Sequence, residues 1–141
     1  MTYHIVEPEV AGGLGASTVL DRSCHPPVVQ RLHYEFEGWL GDVLLESFPA
    51  FIVTEEARQA LVQEGVTGAR FDEVEVSLSD TFRETQPGTT LPRFVWLRPE
   101  GEPGRDDIAT ARDGRLILSQ RALDVLRARG LSQALVEPFT S

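Results

Sequence analysis

Chemistry in this chain would have to come from a short set of side chains. The single cysteine, Cys24, stands beside His25, with His33 further on and His4 near the start. A thiolate and imidazoles suit zinc, and a histidine can convert a neighbouring thiol into a nucleophile. Adjacent side chains diverge, however, and no second cysteine completes a structural zinc site. His33 alternates with Leu32 and Tyr34, which places it on the polar side of a strand. The residue pattern therefore favours exposed or singly hydrogen-bonded groups. A pocket near Cys24, His25 and His33 stays open as the alternative, in a small enzyme or ligand-binding domain of a bacterial biosynthetic pathway.

The carboxylates offer a second chemistry. Asp106-Asp107, with Asp113, Glu100 and Glu102 nearby, would attract a hard divalent cation. The spacing is not that of a calcium loop, and arginines lie among them, so a solvated loop of local ion pairs is expected. Glu73 and Glu75, two apart on a strand, mark a wet face. Gly12-Gly13-Leu14-Gly15 precedes no apolar helix and reads as a flexible loop rather than a phosphate cradle. All 13 basic residues are arginine. Without lysine, Schiff-base chemistry and a phosphate-loop lysine are excluded, and no metal or cofactor is implied.

Charge narrows the partner. The 141 residues carry 22 acids against 13 arginines, a net charge of −9. Residues 1–50 and 51–92 each total −5, whereas residues 93–141 total +1. Such a chain lacks the basic face that nucleic acid or an anionic membrane requires. With no signal-peptide pattern and no long apolar run, the expected compartment is the cytoplasm. The arginine-only basic set in an Ala/Gly/Val/Leu-rich chain points to a GC-rich bacterial genome.

The elements that must position these groups follow from periodicity and punctuation. Tyr3–Val6 and Val28–Phe36 read as strands, the latter with Leu32, Tyr34 and Phe36 on one face, and residues 7–27 between them as loop. Gly38–Asp42 is a turn around Trp39, and Val43–Leu45 a short apolar element. Ala50–Val53 is a strand, Thr54 a helix cap, and Ala57, Ala60 and Leu61 a helix face. Gly65 ends that helix and Phe71–Leu78 returns as a strand. The pattern repeats in Leu116–Leu118, Ser119, Ala122/Val125/Leu126, Gly130 and Ala134–Phe139. Across the two units, Ala57/Ala122, Leu61/Leu126, Gly65/Gly130 and Ala69/Ala134 are identical. Unrelated units reach that level too, so the pattern predicts shared architecture, not shared ancestry. Ser79–Glu84 reads as a short helix, Arg93–Leu97 as a strand with Trp96 in the core, and Glu100–Arg112 as a polar loop. The expected fold is α+β, one domain over residues 1–141, with two principal helices on a mainly antiparallel sheet.

The two units resemble the bacterial immunity-type domains that accompany polymorphic, contact-delivered toxins. The matching residues are Phe51–Ala57 with Leu61, Gly65 and Phe71, and Leu116–Leu123 with Leu126, Gly130 and Glu137-Pro138. Asp42 resembles that family's approach to its first unit. The resemblance covers about residues 39–76 and 114–139, and leaves the N-terminal third unmatched. It implies a non-enzymatic protein that binds and masks a toxin, with no catalytic residue to carry over. Joined to the acidity of residues 1–92, this gives an expected protein partner with a basic surface. The expected contacts are Glu35, Glu37, Trp39, Asp42, Glu73 and Glu75, with Trp39 as the anchor. Self-association through a free sheet edge is a further option.

Overall fold

The computed structural model describes residues 2–140. The N-terminal half opens with β1 (Tyr3–Glu7), β2 (Gly12–Leu14), β3 (Val19–Asp21), β4 (Val28–Arg31) and β5 (His33–Phe36). The first unit follows as β6 (Leu44–Ser47), β7 (Ala50–Thr54), α1 (Glu55–Gln63) and β8 (Ala69–Asp72). Then come β9 (Glu75–Leu78), α2 (Asp80–Thr85) and β10 (Phe94–Pro99). The second unit comprises β11 (Ile108–Thr110), β12 (Leu116–Ser119), α3 (Gln120–Arg129) and β13 (Leu135–Phe139). The class is α+β, and most of the regular secondary structure among the described residues is strand, arranged in four sheets.

Each helix begins and ends for local reasons. The Thr54 and Ser119 hydroxyls accept the N–H groups of Ala57 and Ala122, both at 3.1 Å. That satisfies donors the first turn leaves without partners. At the other end Gly65 and Gly130 take positive φ, 72° and 120°, which a Cβ would strain. Val66 N–H then reaches Leu61 O and Leu131 N–H reaches Leu126 O, each at 3.1 Å. The same Schellman closure thus ends both helices.

The equivalence extends through both sheets. One runs β6-β7-β10-β8, the other β11-β12-β1-β13. In each, a hairpin strand pairs with the leading strand, and an inserted antiparallel strand separates it from the returning one. Ile52 faces Trp96, which faces Asp72; Ile117 faces Ile5, which faces Glu137. Ile52 to Ile117 and Asp72 to Glu137 are the same 65-residue step. The inserted strands sit outside that step, because β10 follows its unit whereas β1 precedes its own by most of the chain.

The units also grip each other reciprocally. Arg121 donates to the carbonyls of Glu64 and Gly65, both at 3.0 Å, while Glu56 meets Arg129 at 3.3 Å. Residues 56 and 121, like 64 and 129, are equivalents under the step, so the contact is isologous, as across a dimer axis. Asp42 accepts from Ser132 and Gln133 after α3, and Asp107 from Thr67 after α1. The main core lies between: Phe51, Val53, Leu61, Val95, Leu116, Leu118 and Leu126 pack into one cluster. A second cluster joins the opposite face of the first unit's sheet, through Ile52 and Trp96, to Tyr34, Phe36 and Phe82. Both faces of β7 and β10 are covered, which is why they read as continuous apolar runs.

Several sequence expectations change. Residues 7–27 hold two strands, β2 and β3, and Val28–Phe36 is broken at Leu32 into β4 and β5. Phe71–Leu78 is broken at Glu73-Val74, so β8 and β9 enter different sheets. β9 runs parallel to β5, in a three-stranded sheet ordered β2-β5-β9. The polar loop 100–112 contains β11, and Asp107 at its start is 2% exposed rather than solvated.

Candidate functional site

The chain leaves β5 at Phe36 into the turn that carries Trp39, and three elements hold it. Glu37 and Gly38 N–H groups donate to Ala11 O at 2.9 and 3.2 Å. Gln86, just beyond α2, accepts the Trp39 N–H at 2.6 Å and donates to Trp39 O at 3.0 Å. The Trp39 indole N–H reaches Asp42 O at 3.0 Å, and its ring stands edge-on to Phe94 with centroids 6.0 Å apart. Trp39 is therefore half-buried and fixed, with its one polar atom already used.

A cavity of about 530 Å³ opens against this turn. Glu9, Val10, Ala11 and Gly12 form one wall, Glu37–Leu40 another, and Thr81, Thr85 and Gln86 of the α2 region the third. Glu9 Oε2 accepts the Leu40 N–H at 2.9 Å, whereas its Oε1 is buried without a hydrogen-bond partner among the described residues. Burial, and to a smaller extent the charge of Asp42, pushes the Glu9 carboxyl above its usual range. Val10 and Leu40, 66% and 71% exposed, stand at the surface beside it. Gly12 has to lack a side chain: a Cβ there would collide with the Glu35 carbonyl.

The electrostatics around it are one-sided. None of the acids in residues 1–50 takes part in an arginine ion pair among the described residues. Carboxylates later in the chain are repeatedly paired, as in Arg58–Glu55, Arg98–Asp72 and Arg121–Asp107. Glu46 lies close to Glu7; burial first, then that neighbouring charge, lifts the Glu46 carboxyl to about 7.

The expected contact residues separate into groups. Glu37 and Trp39 line the cavity. Glu35 and Glu75 share a face of the β2-β5-β9 sheet, where Glu35 faces Ser77 and His33 faces Glu75. Glu75 is engaged by Arg31 at 3.4 Å. Glu73 lines a separate groove with Arg93. Asp42 is 1% exposed and both its oxygens serve Ser132 and Gln133, so it braces a loop and offers no carboxylate to a partner. Sequence reasoning missed Glu9, Val10, Leu40 and Gln86, which periodicity cannot flag because they lie in loops or just past a helix.

Cys24, His25 and His33 have different surroundings. Cys24 and His25 are exposed, the latter with its ring 6.3 Å from that of Phe48. His33 is 7% exposed, contrary to the polar-face expectation: its Nδ1 accepts Ser17 N–H at 3.2 Å and its Nε2 lies 2.7 Å from Ser77 Oγ. Gly15 makes room for that ring, since a Cβ there would strike it. The three side chains do not meet in one pocket. Among the described residues, no three His, Cys, Asp or Glu side chains are grouped to hold a metal ion. No helix among them is long and apolar enough to cross a membrane. The sequence matches no protein-family model and no curated protein.

Proposed function

We propose that this chain is a non-enzymatic, cytoplasmic binding protein that captures a protein with a basic surface, as the resemblance to toxin-masking immunity domains implies. The observation that carries the reading is that no acid of residues 1–50 forms an arginine ion pair among the described residues, and that two of them, Glu9 and Glu37, line a cavity with exposed apolar flanks. Acids without an arginine partner supply a field for an external cation. Such a field speeds encounter and selects partners of opposite charge. The contact region is Glu35, Glu37 and Trp39, joined by Glu9, Val10 and Leu40, with Glu73 and Glu75 on neighbouring surfaces.

Co-purification with the proteins encoded beside it tests this directly. The expected outcome is a stable complex with a basic neighbour whose association rate falls steeply with salt and drops further in a Glu35→Gln/Glu37→Gln variant. Turnover of a small molecule with no protein partner among those neighbours would sink the reading.

A further inference from the structure

Two strand edges open onto one groove. β8 runs beside β10 as far as Asp72, opposite Trp96, and the chain then turns away at Glu73-Val74 to form β9 in another sheet. A groove of about 480 Å³ lies in the wedge between them. Glu73, Val74 and Val76 form one wall, and Leu91, Arg93 and Phe94 the other. Glu55 N–H donates to Arg93 O at 2.8 Å, while Thr54, opposite Phe94, turns its own N–H away to Val43 O at 2.9 Å. Bonded and non-bonded pairs alternate along an antiparallel ladder, so the Phe94 N–H and C=O point away from β7, toward the wedge. On the facing wall Glu75 N–H reaches Leu32 O at 3.0 Å and Ser79 N–H reaches Phe36 O at 2.9 Å. The backbone of Glu75 and Ser77 thus serves β5, and that of Val76, between them, faces outward from the last strand of its sheet. Neither Phe94 nor Val76 has a backbone hydrogen bond on these outer sides among the described residues.

The side chains restrict what fills the wedge. Val74, Leu91 and Phe94 belong to the second core cluster and give the groove an apolar floor. Glu73 and Arg93, each one residue earlier in its wall, are exposed on the open side. Neither takes part in an ion pair among the described residues. The occupant must therefore offer donors and acceptors along two edges, an apolar face beneath, and one charge of each sign above. An extended peptide has that pattern, because its side chains alternate between faces and its backbone presents both edges. A small molecule lacks the two edges. A strand from a second copy does not supply them either, since every strand among the described residues already spends an edge on a neighbour.

We propose that the wedge between β9 and β10 receives an extended segment of a protein partner, bonded through its backbone to Val76 on one side and Phe94 on the other. A basic side chain of that segment lies opposite Glu73 and an acidic one opposite Arg93. This rests on the reading of the chain as a protein-binding molecule, and adds the conformation and charge pattern of the segment it captures. The inserted strand joins the β2-β5-β9 sheet to β10 and covers the apolar floor.

Two-dimensional NMR of the intact chain, titrated with a capped Val-Lys-Val-Glu-Val peptide, tests it. The expected result is a saturable shift of the Val76 and Phe94 amides and slowed hydrogen exchange at both. Peptides N-methylated at the second and fourth residues, or at the first, third and fifth, each lose the donors of one edge and should bind about tenfold more weakly. A Val-Gln-Val-Gln-Val peptide should bind about threefold more weakly. Val76→Pro removes an outward N–H that β5 does not use, and should weaken binding about fivefold. The methylated peptides give the same test without altering the fold. Equal binding of both methylated peptides overturns the proposal, and weakening by only one of them overturns insertion between two edges. Equal binding of the glutamine peptide overturns the charge pattern. Dimers in light scattering that protect Val76 and Phe94 identify a second copy and overturn the partner segment. A basic neighbour that binds without protecting these amides removes this groove and leaves the wider reading. Peptide binding with no protein partner removes the wider reading and leaves the groove.

Discussion

Replacing Asp107 by asparagine would isolate one charge at the junction of the two units. The carboxyl accepts Ser119 Oγ at 2.6 Å, Thr67 N–H at 2.9 Å and Arg121 Nη2 at 2.6 Å. Burial alone would raise its pKa, but the hydrogen bonds from Arg121, Ser119 and Thr67 outweigh burial and hold it at about 2 against an ordinary 3.8. A separation of nearly two units corresponds to about 2 kcal/mol in favour of the charged form. The Arg121 side chain is half exposed, which keeps the loss below the ~3–5 kcal/mol of a fully buried pair. Asp107→Asn should therefore cost about 2 kcal/mol at pH 7, a fall in Tm of roughly 6–8 °C for a chain of this size. A native pKa below the unfolded value means the stabilisation is complete above about pH 4 and is lost as pH falls toward 2. Urea unfolding followed by tryptophan fluorescence should show the full gap at pH 7 and a smaller one at pH 3. The equivalent brace, Asp42, binds backbone and hydroxyl donors without a guanidinium. Asp42→Asn should cost less, about 1 kcal/mol. An Asp107→Asn variant as stable as the parent at pH 7, or a gap unchanged at pH 3, would refute the reasoning.

Glu46 should show the opposite pH response. Its native pKa, raised to about 7 by burial and Glu7, means that stability declines as pH rises from about 4.5 through 7. Glu46→Gln escapes that loss, so it should gain about 1–2 kcal/mol over the parent at pH 8 and nothing at pH 4, checked by thermal unfolding at both values. The two helix caps should also differ. Thr54→Ala should cost about 1 kcal/mol, and Ser119→Ala about 2, because Ser119 Oγ both caps α3 and donates to Asp107. Equal losses in calorimetry would count against a shared network.

What sequence reading recovers here is local. Thr54, Ser119 and Ser79 announce helices because a cap acts on an N–H three residues away, and Gly65 and Gly130 end them within the same turn. Leu32, Tyr34 and Phe36 are buried together as their spacing predicts even though the strand breaks at Leu32, while His33 between them is buried as well. The three-residue strands β2, β3 and β11 escape notice because each exists only through its partner, and no internal periodicity marks so short a segment. Of the contact residues, Glu37 and Trp39 meet in one cavity, and the segment that completes it, Glu9 to Gly12, reads simply as loop.

Composition and spacing by themselves determined the α+β class, the two strand–helix–strand units, and the concentration of negative charge before residue 93. Those properties depend on residue counts and on contacts within a few positions. Tertiary structure alone decided that β1 and β10 are equivalents, for β1 reaches its place between β12 and β13 from the other end of the chain, whereas β10 reaches its own between β7 and β8 from just after its unit. It also decided the fates of acids that look alike in sequence. Asp42 and Asp107 are drawn inside because loops of the opposite unit bring donors to them. Glu9 and Glu37, with no arginine folded against them, are left facing a cavity. A carboxylate's role depends on which donors the fold brings within 3 Å, and those donors come from distant segments.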